Sequence, residues 1–131
     1  MDPQQLAEIA RTHDIELIVQ FGSSVRGQMH PRSDVDVAVL YRQVPDSFAG
    51  LADLQTELQA LVADRHVDLG LLNHADPLFL KQVMDHARLL HGSPRRFQEL
   101  KLYAFRRYQD HRRFLDMERA YVASTIAGHA R

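Results

Sequence analysis

Asp34 and Asp36 are the residues of this chain best placed to do chemistry. They stand two apart at the head of an apolar run, within FGSSVRGQMHPRSDVDVAVL. Residues two apart on an extended strand project from the same face. The two carboxylates therefore lie side by side, with Val35 and Val37 on the opposite face. Like charges held together are unfavourable unless a cation sits between them. A divalent metal answers that need, and Mg²⁺ is typically held by one or two carboxylates together with phosphate oxygens. The preceding loop suits phosphate. Gly22 permits close backbone approach. If a helical turn starts at Ser23 and Ser24, its free N–H groups form an anion site. Arg26 and Arg32 add charge-assisted donors for triphosphate oxygens. Alone, Gly-Ser is an ordinary turn and D-x-D a solvated strand face; their conjunction at this spacing gives the reading its force.

A third carboxylate is needed if a hydroxyl is to be activated. Asp68, between Val67 and Leu69, repeats the apolar-carboxylate-apolar pattern of Asp36. An unpaired charge among apolar neighbours calls for a partner or a metal. Asp68 is thus a candidate second-metal ligand and general base. Its competitor Asp64 precedes the apolar run and falls in a turn. The eight histidines are scattered and form no H-E-x-x-H pattern. His30 is the one that lies in the glycine-containing loop. G-x-S-x-G, Walker A and G-x-G-x-x-G signatures are all absent.

The elements that must position these residues follow from periodicity and capping. Asp2-Pro3 starts a helix with Leu6, Ile9 and Ala10 on its apolar stripe, ending near His13. Residues 16–21 read as a buried strand, residues 22–32 as a loop with a helical turn around Ser24 to Gly27, and residues 34–40 as the second strand. Pro45-Asp46 opens a helix whose apolar face is Leu51, Leu54, Leu58, Leu61 and Val62. Residues 65–72 form the third strand, and Asp76-Pro77 starts a helix running to about His86. A short strand at 88–91 is broken by Gly92 to Pro94. A long helix follows from about Arg95 to Ala123. Strands interspersed with helices predict an α/β (α+β) fold with a small mixed sheet flanked by helices. The first connection between strands is too long for a tight hairpin and too short for a helical crossover.

The chain has 131 residues, 45% hydrophobic and 25% charged, as expected of a soluble globular protein built around one core. It contains no cysteine, which excludes disulfides and thiolate metal sites. With no signal-peptide pattern and no apolar run of spanning length, it reads as cytoplasmic and without a membrane partner. The formal net charge of −1 is unevenly spread. Residues 93–131 hold 9 Lys and Arg against 4 Asp and Glu, a net +5 beside −6 for the rest. A basic tail on an acidic body bears on partners. The acidic body and the lack of a reader motif argue against direct binding to long nucleic acid. Leu100, Ala104, Tyr108, Leu115 and Val122 form one stripe of the tail helix, and Phe114, Met117 and Tyr121 a neighbouring one. These stripes either pack on the chain's own sheet or meet another protein.

As a whole, GSSVRGQMHPRSDVD resembles the Gly-Ser-x-x-x-Gly…Ser-Asp-x-Asp signature of nucleotidyltransferases of the DNA polymerase β superfamily, and more narrowly that of minimal nucleotidyltransferase (MNT) antitoxins. The resemblance spans the signature loop, the DVD strand, the VDL strand, the Asp-Pro helix and the Leu-Leu-His-Gly segment. It implies a polymerase-β-type fold in a single domain over 1–131, with a core of about 1–92 and a helical extension of about 93–131. It implies that Gly22, Ser23, Ser24, Arg26 and Ser33 bind the nucleotide, and that Asp34, Asp36 and Asp68 are catalytic and bind metal. The implied cofactors are two Mg²⁺ ions and ATP. MNT proteins pair with HEPN-domain toxins, so the resemblance implies an antitoxin that transfers AMP to a tyrosine of a HEPN RNase. The toxin's own R-x₄-H-x-Y motif is not met here: Arg106 and His111 have the spacing, but Arg113 stands where tyrosine is required. Two alternatives stay open. One is an antitoxin that neutralises by binding alone. The other is a small-molecule nucleotidyltransferase of the aminoglycoside type, against which the lack of room for a second domain counts.

Overall fold

The computed structural model describes residues 1–22, 25 and 34–129, with His129 described in its backbone alone. Eight elements follow in the order α1 (Pro3–His13), β1 (Ile15–Phe21), β2 (Val35–Tyr41), α2 (Phe48–Ala60), β3 (Val67–Leu71), α3 (Pro77–Asp85), β4 (Arg88–His91) and α4 (Pro94–His129). The sheet order is β3-β2-β1-β4, with β1 antiparallel to both β2 and β4 and β2 parallel to β3. The mixed sheet expected from the connection lengths is thus observed.

Each face of the sheet carries its own core. On one face Leu6, Ile9 and Ala10 of α1 and Leu54 and Leu58 of α2 pack over Ile15, Ile18, Val35, Val37, Val39 and Val67. On the other, Leu80, Val83 and Met84 of α3 and Phe97, Leu100 and Ala104 of α4 pack over Leu17, Val19, Ala38 and Leu40. A register shift between Ile15 and Leu17 lets Ile15 and Ile18 share one face while Leu17 and Val19 share the other. The Glu16 side chain within that bulge accepts from Arg96 Nε at 2.7 Å, tying β1 to the first turn of α4.

Capping sets most of the boundaries. Asp2 accepts from the Gln4 N–H at 3.0 Å, and α1 ends at Asp14 in the left-handed conformation. Asp76 accepts from the Leu78 and Phe79 N–H groups at 2.8 and 3.4 Å. The start of α2 differs from expectation. Ser47, not Pro45-Asp46, occupies its N-cap. Pro45 instead folds back over the first turn, so close to Gly50 that a Cβ there would lie 2.9 Å from the proline ring. β3 is shorter than the expected 65–72, because the Arg65 carbonyl is turned to Gln59 Nε2. Helix α4 runs six residues past Ala123. Its first third is core; beyond Ala104, Phe105, Phe114, Met117, Tyr121, Val122 and Ile126 are exposed. The helical turn expected around Ser24 to Gly27 lies outside the described residues, Val25 excepted.

Candidate active site

The parallel pairing of β2 with β3 places Asp36 and Asp68 in register as direct Cα partners. Register partners in a sheet project from the same face. Both carboxylates therefore stand on the α3/α4 face, at the end of the sheet where β2 and β3 begin. Val35, Val37 and Val67 turn the other way, into the α1/α2 core. Asp34 immediately precedes β2 rather than forming its first residue, as the sequence had suggested. It is exposed, as is Asp68, whereas Asp36 is half-buried.

The electrostatics follow from this placement. Burial, then the charge of Asp68, then that of Asp34, hold the Asp36 carboxyl above the usual carboxylate range. Among the described residues no Lys or Arg forms an ion pair with any of the three. Nor are three acid or imidazole side chains gathered there tightly enough to hold a metal by themselves. Among the described residues, the three aspartates make a negatively charged shelf without a counter-ion.

The shelf is bounded by Gly22 where β1 ends. Gly22 has φ of 77°, and the Val25 N–H closes a turn onto its carbonyl at 3.2 Å. A Cβ on Gly22 would collide with the Asp36 carboxylate. The glycine thus lets the backbone leaving β1 pass directly against the acidic side chain. Phe21, the antiparallel register partner of Asp36, meets Phe79 of α3 edge-on with ring centroids 6.3 Å apart. Phe79 in turn rests over Gly70, whose missing side chain leaves room for the ring. This aromatic wall was not read from the sequence. Phe79 is one apolar residue among several in its helix, and only the packing of α3 on the sheet selects it. Of the residues expected to act, Asp34, Asp36, Asp68 and Gly22 come together. Ser23, Ser24, Arg26, Arg32 and Ser33 lie outside the described residues, as does His30. Asp64 sits in the bend before β3, away from the register pair.

Residues 4–96 match the family model for polymerase beta nucleotidyltransferases. The chain belongs to the polymerase beta nucleotidyltransferase family. It is 29% identical over 116 residues to the protein adenylyltransferase MntA of Shewanella oneidensis, covering 88% of this chain and 80% of that one. A solved toxin–antitoxin structure with AMP-PNP superposes with a TM-score of 0.71 at 26% identity, over 97% of this chain and 99% of its counterpart. The MNT antitoxin complex containing a tri-AMPylated Shewanella oneidensis HEPN toxin shares the fold at a TM-score of 0.63 and 24% identity, over 95% of each chain. In this nucleotidyltransferase the family match ends in the first turn of α4. The likeness to the first of these solved structures takes in nearly the whole chain, α4 included.

Proposed function

We propose that this nucleotidyltransferase is a Mg²⁺-dependent protein adenylyltransferase acting as an antitoxin, which transfers AMP from ATP to a tyrosine of a HEPN-type RNase toxin. The observation that carries the reading is the register pairing of Asp36 with Asp68 beside Asp34, on a shelf that Gly22 leaves open. Kinship with a protein adenylyltransferase supports protein as acceptor, and the fold shared with the AMP-PNP complex supports an adenine nucleotide as donor.

The donor set suits Mg²⁺. The ligands are hard carboxylate oxygens, they repel one another, and they form no closed cage, which matches an ion shared with phosphate oxygens. Asp34, Asp36 and Asp68 would hold it, and when bound it supplies positive charge against the triphosphate and the departing pyrophosphate. Gly22, Ser23, Ser24, Arg26 and Ser33 orient the triphosphate chain. The tyrosine oxygen forms a bond to the α-phosphorus as the bond from that phosphorus to the β-bridging oxygen breaks. Pyrophosphate leaves with that electron pair, and the phenolic proton passes to the Asp68 carboxylate.

Asp34→Asn and Asp36→Asn should each reduce AMP transfer by at least about a hundredfold, equivalent to about 2.7 kcal/mol of barrier. Labelled ATP incubated with the purified toxin measures this; transfer at the unsubstituted rate in both variants overturns the reading. A second reading, neutralisation by binding, is favoured by the exposed apolar side chains of distal α4. It is distinguished by whether the Asp→Asn variants still protect cells.

A further inference from the structure

β3 is an edge strand, and its open side is only partly closed. The Val35 N–H donates to the His66 carbonyl at 2.8 Å and the Leu72 N–H to the Val39 carbonyl at 2.9 Å. By the alternation of a parallel ladder, residues 66, 68, 70 and 72 turn their backbone groups to β2, while Val67, Leu69 and Leu71 turn theirs outward. Val67 is fully satisfied by α2: its N–H donates to Gln59 Oε1 at 2.9 Å and its carbonyl accepts from Gln55 Nε2 at 2.6 Å. Leu69 and Leu71 have no such partners among the described residues. Beside them lies a groove of about 370 Å³, lined by Leu51, Ala52, Leu69 and Leu71 and by Phe48, which is 86% exposed.

We propose that this edge receives an extended, tyrosine-bearing segment of the protein acceptor as a fifth strand, presenting the hydroxyl to Asp68. The proposal rests on the adenylyltransferase reading above and names how its acceptor is held. Unpaired N–H and C=O groups at a sheet edge are complementary to extended polypeptide. A residue docked in register with Asp68 projects from the carboxylate face, with Cβ about 5 Å from that of Asp68. Its neighbour opposite Leu69 points to the other face, into the apolar groove against Phe48 and Leu51. The edge therefore selects an acceptor tyrosine with an apolar side chain next to it, on the side that faces Leu69. The glutamine clamp on Val67 limits pairing to Leu69 and Leu71, which keeps the segment short and stops it from sliding along β3.

Two measurements on the full chain with purified HEPN-type toxin test this. Amide exchange is followed on the Asp36→Asn chain, so that binding is seen without transfer. The Leu69 and Leu71 amides should slow at least tenfold on adding toxin. Separately, Leu69→Pro removes one outward donor while sparing the ladder to β2, a place where proline is tolerated in strands. It should raise KM for the toxin at least tenfold and leave AMP-PNP binding unchanged. Phe48→Ser, at an exposed position that does not threaten folding, should raise the same KM several-fold. Unchanged exchange at Leu69 and Leu71 in the toxin-bound chain, or wild-type KM in Phe48→Ser and in Leu69→Pro, overturns strand addition while AMP transfer itself stands. Disruption of self-association alone by these variants also overturns it, assigning the edge to a second copy of the chain. If the unsubstituted chain transfers no AMP, the adenylyltransferase reading falls first and the docking proposal with it.

Discussion

At the scale of single residues, the account turns on Asp36 and on the glycine beside it. Asp36 keeps its proton to higher pH in the folded chain than in the unfolded one, through burial and the charges of Asp68 and Asp34. The contribution of this carboxyl to stability is therefore complete below the ordinary carboxylate range and is lost as pH rises through the raised value. Asp36→Asn removes that loss. Thermal unfolding without metal should show it more stable than the wild type at pH 7.5, with no gain near pH 4. Adding Mg²⁺ should raise the wild-type midpoint and leave that of the variant unmoved. Gly22→Ala should act in the opposite sense. A left-handed φ with a Cβ costs about 1–2 kcal/mol, and that Cβ meets the Asp36 carboxylate, so both the midpoint and AMP transfer should fall. The two aspartates of the DVD motif and Asp68 were legible in the sequence because alternation fixes the face of a strand residue. Their juxtaposition was not, because register between residues 32 apart in sequence is set by how α2 packs.

At the scale of elements, the helices that position the shelf were legible where capping chemistry is explicit. Asp2-Pro3 and Asp76-Pro77 begin α1 and α3 as read. Pro45-Asp46 carries a similar signal but does not begin α2, since Pro45 is engaged in packing over Gly50. Local propensity yielded there to a tertiary contact. The Asp76 cap holds the first turn of α3, which seats Phe79 against Phe21 and Gly70. Asp76→Ala should cost about 1 kcal/mol in urea unfolding. In α2, Leu54 and Leu58 are fully buried under the strands that carry the carboxylates. Leu58→Ala should cost about 2–5 kcal/mol by the same measurement. A loss within 0.5 kcal/mol would mean that α2 is not what holds β2 and β3 together.

At the scale of the whole molecule, the tail helix resolves into two parts. Phe97, Leu100 and Ala104 complete the core over the sheet, whereas the side chains from Phe114 to Ile126 leave a broad apolar surface uncovered. The sequence offered core packing and partner binding as alternatives because both leave the same apolar stripe; the length of helix the sheet can cover separates them. Truncation after Gly92 would remove core residues and unfold the chain, so the informative cut is after Arg113. That variant should melt within about 3 °C of the full chain, since every described side chain it loses is exposed, and should bind toxin at least tenfold more weakly in calorimetry. No helix among the described residues is long and apolar enough to cross a membrane. The central claim is that three aspartates on one shelf move AMP from ATP onto a partner protein. Mass spectrometry of the HEPN-type toxin after incubation with this chain, ATP and Mg²⁺ tests it most directly. The account predicts added AMP on a tyrosine, absent with Asp34→Asn and with Asp36→Asn; a toxin neutralised yet unmodified would contradict it.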